Sequence, residues 1–178
     1  MNINQKKLLL HYSYLSLELE EVSEVCLSVE KEIRDCMEKK YPDYYKSKLN
    51  NKKTNNKKDK EEIKSINKIK NKDMKIIYRK IARKVHPDKE SGNHDLFSKA
   101  AKAYSEQDIG KLLEVAAEVN IKISSLSDES VTILKENISY LDKQIKSKKN
   151  STAWHWYHSD SEDKKEQILK HIFNHKGE

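Results

Sequence analysis

Residues Met74–Lys89 read MKIIYRKIARKVHPDK, and the fold of the chain follows from this stretch. Met74, Ile77, Tyr78, Ile81 and Val85 fall at i, i+3, i+4, i+7 and i+11, one face of a helix of period 3.6. Lys75, Arg79, Lys80, Arg83 and Lys84 take the opposite face. Pro87 stops the helix, because the residue before a proline is pushed out of the α region. The spacing therefore predicts a basic amphipathic rod that ends in a turn carrying His86 and Asp88. Asn71 or Asp73 can cap its start by offering a side-chain oxygen to the first unpaired amides.

Working outward, Glu90-Ser91-Gly92-Asn93 is a loop with a capping residue at its end, and a second helix begins near His94. Leu96, Phe97, Ala100, Ala101 and Tyr104 form its buried side, with Ala103 beside them; the alanines allow a neighbouring helix to come close. Gly110 weakens the pattern, so a kink or break is expected near 106–110, with Asp108 capping a continuation through Leu112, Leu113, Ala116 and Val119. Ser127 with Asp128 and Glu129 opens a further helix whose apolar positions are Val131, Leu134, Ile138, Leu141 and Ile145. An aromatic cluster follows at Ala153-Trp154-His155-Trp156-Tyr157. Ser161 then caps a last helix bearing Ile168, Leu169, Ile172 and Phe173. One indole is expected in the core and the other at the surface.

Upstream, residues 5–40 read as one long helix. Leu8, Tyr12, Leu15, Leu19, Val22, Cys26, Val29, Ile33 and Cys36 alternate steps of four and three. That is an a/d seam of about four heptads, roughly 50 Å of helix. Leu9, Leu10, Tyr14 and Leu17 widen the stripe near the start. Two readings compete: a homodimer through residues 8–36, or packing on helices of the same chain. The similar pattern of the helix after Ser127 suggests that the two lie antiparallel. Pro42 ends the long helix, residues 43–60 form a flexible Asn/Lys-rich loop, and Ile63, Ile66 and Ile69 mark a short helix over 61–70.

Composition agrees with a helical chain. Three Gly and two Pro among 178 residues leave few turn and bulge positions for a sheet, and 35% hydrophobic against 37% charged residues implies small cores. The fold class expected is all-α: a long N-terminal helix (1–42), the loop (43–60), an antiparallel helical hairpin within 61–119, and a C-terminal helical region (120–178). The net charge of +7 is concentrated, since residues 46–75 hold twelve lysines and four acids, leaving the remainder at −1. Cys26 and Cys36 sit ten residues apart on one helix, roughly 15 Å, too far for a disulfide. With no signal peptide and no membrane-spanning run, a soluble cytoplasmic protein is expected, without a membrane partner.

Met74–Lys89 resembles the second helix and loop of a J domain, the module of DnaJ-type co-chaperones. The resemblance continues through Phe97, Ala100, Ala103 and Tyr104, which stand at the spacing of the family's third helix. It covers roughly residues 60–110. It implies docking on a DnaK-type chaperone ATPase and stimulation of that partner's ATP hydrolysis. The residues it assigns to docking are Lys75, Tyr78, Arg79, Lys80, His86, Pro87, Asp88 and Lys89. The hydrolysis belongs to the partner, so the chain is not expected to be an enzyme and carries no catalytic residue, metal or cofactor. The family's Tyr-x-x-Leu-Gly first helix is absent; Asp43-Tyr44-Tyr45 echoes only its start. Neither a Gly/Phe-rich linker nor CxxCxGxG repeats are present. The chain thus resembles J proteins that keep the J domain alone, with unrelated flanking helices serving client binding or oligomerisation.

The alternative is a helical nucleic-acid-binding or scaffold protein with a degenerate J domain. The lysine run 46–75 suits phosphates, but its centre lacks aromatic residues for stacking, and a solvated loop is the preferred reading. His171 and His175 share a helix face, yet no acid completes an HExxH pattern and zinc is not expected.

Overall fold

The computed structural model describes residues 1–42, 71–88 and 92–174; the expected loop at 43–60, the expected helix at 61–70, Lys89 and His175 lie outside them. The described residues form an all-α structure with no strand. Its helices are α1 (Ile3–Lys40), α2 (Lys72–Val85), α3 (His94–Ser105), α4 (Ile109–Glu118), α5 (Asp128–Lys149), α6 (Thr152–Tyr157) and α7 (Glu162–Asn174). They build two compact units, each from segments distant in sequence: residues 1–19 with 71–144, and the remainder of α1 with residues 145–174.

The first unit holds α2, α3 and α4, which pack on one another. Met74, Ile77, Ile81 and Val85 of α2 are buried and Ile81 is fully so, as the periodicity requires. Asn71 caps α2, its Oδ1 accepting from the Met74 amide at 3.0 Å. Asn93 does the same for α3 through the Leu96 amide, and Asp108 for α4 through the Lys111 amide. The break between α3 and α4 falls where the sequence suggests, but its agent is Gln107, in the left-handed region at φ 59°. There the Asp108 amide turns back to the Ala103 carbonyl at 2.9 Å, satisfying an end-of-helix acceptor. Asn120, at φ 54°, closes α4 in the same way through Ile121 N–H to Ala116 O.

Gly110 has a different task, inside α4. A Cβ there would stand 2.3 Å from the ring of Tyr12 of α1, so the absent side chain is what admits the ring. The Tyr12 hydroxyl donates to Asp108 Oδ2 at 2.8 Å. Burial, together with that carboxylate, pushes its pKa far up, and the phenol stays a neutral donor. On the other side of the α4 start, Asn137 of α5 accepts from the Ile109 amide at 3.0 Å.

Within this unit α1 and α5 run parallel, contrary to the antiparallel expectation. Gln5 exchanges hydrogen bonds with the Leu126 backbone just before α5, while Tyr12 and Asn137, each further along its helix, meet the same end of α4. Matching apolar spacing sets which faces are buried, not direction.

In the second unit the α1 seam continues through Val22, Cys26, Val29, Ile33 and Met37, forming a core with Ala153, Trp156 and Leu169. Trp156 is buried in this core, and Trp154, half-buried, packs against the same core rather than standing at the surface. Ser151 caps α6, and the Ser161 hydroxyl accepts from the Lys164 amide at the start of α7. Tyr41 stacks on Phe173 with centroids 4.7 Å apart. Both cysteines are free thiols, Cys26 buried and Cys36 partly so. The seam is used in packing within the chain: its a/d residues are buried or half-buried.

Candidate docking surface

The α2 face opposite the core carries Lys75, Arg79, Lys80, Arg83 and Lys84, all exposed, and Asp73 in the first turn is the helix's only acid. The cationic side chains recur at helical spacing, so they form a continuous strip on one rigid element. At its C-terminal end the backbone leaves the helix at His86, with ψ 133°, and turns through Pro87 and Asp88. The Asn93 amide donates to the Val85 carbonyl at 3.1 Å, closing the base of the loop that begins there.

His86 is held from two sides. Its ring meets Phe97 of α3 edge-on, with centroids 5.2 Å apart. Its Nδ1 accepts from the Asp88 amide at 3.3 Å, which in the neutral ring leaves the proton on Nε2. The Asp88 carboxylate also lies 3.3 Å from Nδ1. Side-chain exposures of 43% for His86 and 85% for Asp88 leave both groups open to a docking molecule.

Tyr78 braces the hairpin from within. It stacks on Tyr104 with centroids 4.9 Å apart and lies 6.5 Å from Phe97. The pairing of His86 with Phe97 and of Tyr78 with Tyr104 shows that α2 and α3 run antiparallel. Phe97 is half-buried, and Ala100 and Ala103 are buried in the closely approached side of α3. Lys75, Arg79, Lys80, Pro87 and Asp88 are exposed, and His86 and Tyr78 are half-buried.

A feature not anticipated from the sequence anchors the other end of α2. Asp73 Oδ2 accepts from the Ser127 amide and from the Ser130 hydroxyl, each at 2.8 Å. The same Ser130 hydroxyl lies 3.0 Å from Asn71 Oδ1. Partial desolvation works to raise the Asp73 pKa, but these bonds outweigh it and hold the carboxyl below its ordinary value. The start of α2 is therefore tied to the start of α5. Asp73 was legible only as a capping candidate, since its partners lie more than fifty residues away.

Among the described residues no group of three or more His, Cys, Asp or Glu side chains could hold a metal ion, and no helix is long and apolar enough to cross a membrane. Comparison of the chain with protein families, curated proteins and solved structures found no match.

Proposed function

We propose that this chain is a J-type co-chaperone that docks on a DnaK-type chaperone ATPase through α2 and the His86–Pro87–Asp88 turn and stimulates the partner's ATP hydrolysis. The observation that carries the reading is the union of a cationic strip and an exposed, proline-fixed His/Asp turn on one antiparallel hairpin. A strip of five cations on a rigid helix suits an acidic surface and gives association both speed and register. The turn presents an imidazole and a carboxylate whose positions are set by Phe97 and by each other, so little conformational entropy is lost when a partner binds. Lys89, which lies outside the described residues, extends the motif in sequence and is assigned to the same contact. The flanking helices serve client binding or oligomerisation.

Charge reversal on the strip tests the docking step. Arg79→Glu combined with Lys80→Glu is expected to weaken binding to a DnaK-type ATPase by at least tenfold, and added salt is expected to weaken wild-type binding. Undiminished binding by the doubly reversed chain, measured by titration calorimetry, contradicts the assignment of this face.

A further inference from the structure

The seam of α1 is used within the chain, but a second apolar stripe on the same helix is not. Ile3, Leu10, Tyr14 and Leu17 are 66%, 71%, 63% and 67% exposed. At 100° per residue they fall within a band about 60° wide, so they form one line rather than scattered exposures. We infer that this stripe of α1 is the contact face of a homodimer in which the α1 helices of two copies lie antiparallel.

The charges flanking the stripe select the occupant and its direction. Lys6 and Lys7 border its N-terminal part; Glu20 and Glu21 follow one turn after Leu17 on the same continuous helix, and all four are exposed. An antiparallel register that sets Leu10 against Leu17 of the second copy also brings Lys6 to Glu20 on one flank of the stripe and Lys7 to Glu21 on the other, each about one residue from level. Two-fold symmetry repeats each pair, and Tyr14 falls beside the axis. A parallel arrangement would instead oppose lysine to lysine and glutamate to glutamate, which is destabilising. Covering the four apolar side chains on two copies removes on the order of 1,000 Å² from water, at the lower bound for a specific interface. The dimer is accordingly reversible and dependent on concentration. Its surface is separate from the buried a/d seam.

Sedimentation equilibrium of the whole chain over a range of concentrations, at low and high salt, tests this. The wild type is expected to associate to a dimer, more weakly at high salt because the flanking pairs are attractive. The chain carrying Leu10→Glu and Leu17→Glu is expected to stay monomeric where the wild type is dimeric, with its helical circular dichroism unchanged. A second variant keeps the apolar stripe: Lys6→Glu with Lys7→Glu is expected to lose the dimer alone and regain it when mixed with a Glu20→Lys, Glu21→Lys chain. A wild type that is monomeric throughout overturns the inference. So does a dimer indifferent to the Leu10 and Leu17 substitutions, or one that tightens with salt.

Discussion

At the scale of single residues, Gly110 and Asp73 each fix a contact in the first unit that one substitution can test. Gly110 is required by a neighbour, since a methyl group at its position would enter the ring of Tyr12. Gly110→Ala is expected to destabilise the fold by about 1–3 kcal/mol, the usual cost of overpacking a filled site. Chemical denaturation followed by circular dichroism measures it, and an unchanged midpoint would show that the ring yields freely. Asp73 sets a dependence on pH. Its pKa is lowered in the folded chain, so its contribution is present above the carboxylate's unfolded pKa and is lost as pH falls through the folded value. Thermal melts between neutral and acidic pH are expected to show a smaller acid-induced loss for Asp73→Asn than for the wild type. Parallel curves for the two chains contradict the role of the Ser127 and Ser130 bonds.

At the scale of elements, most of the structure was legible. The apolar faces of α1 and α2, the caps Asn71, Asn93, Asp108 and Ser161, and the stop before Pro87 are all local consequences of side-chain type and spacing. What escaped depends on contacts far apart in the chain. The direction of α1 relative to α5 follows from Gln5, Tyr12 and Asn137 finding partners, and no periodicity encodes that. The break after α3 falls within the expected 106–110, but its agent is Gln107, in the left-handed region, and not Gly110. The Asn137 amide joins α5 to Ile109 at the start of α4 and to Gln107 just before it, partners 28 and 30 residues away. At the candidate site, the cationic strip and the turn were legible because they are contiguous; the anchoring of α2 at Asp73 was not. The hairpin itself depends on its core, where Ile81 has no exposed surface. Ile81→Ala is expected to cost about 2–5 kcal/mol, measurable in urea, and a loss well below that range would mean that α2 is not packed as described.

At the scale of the whole molecule, the sequence carries its charge and its motifs in separate places. Residues 46–75 carry +8 against a net charge of +7, while the strip on α2, which overlaps that run only at Lys75, supplies an ordered pattern of cations beside a fixed turn. That separation favours a specific docking face over diffuse attraction, since a patterned, rigid surface sets register as well as sign. Each compact unit takes one part of α1, so the long helix contributes a seam to two cores. In the proposed function, the His86–Pro87–Asp88 turn makes a DnaK-type ATPase hydrolyse ATP faster. Single-turnover ATP hydrolysis by such a chaperone, with equal amounts of wild-type, His86→Gln or Asp88→Asn chain added, tests it most directly. Acceleration is expected from the wild type and none from either variant, with the helical content of all three alike. A wild type that does not accelerate hydrolysis, or variants that accelerate it equally, would contradict it.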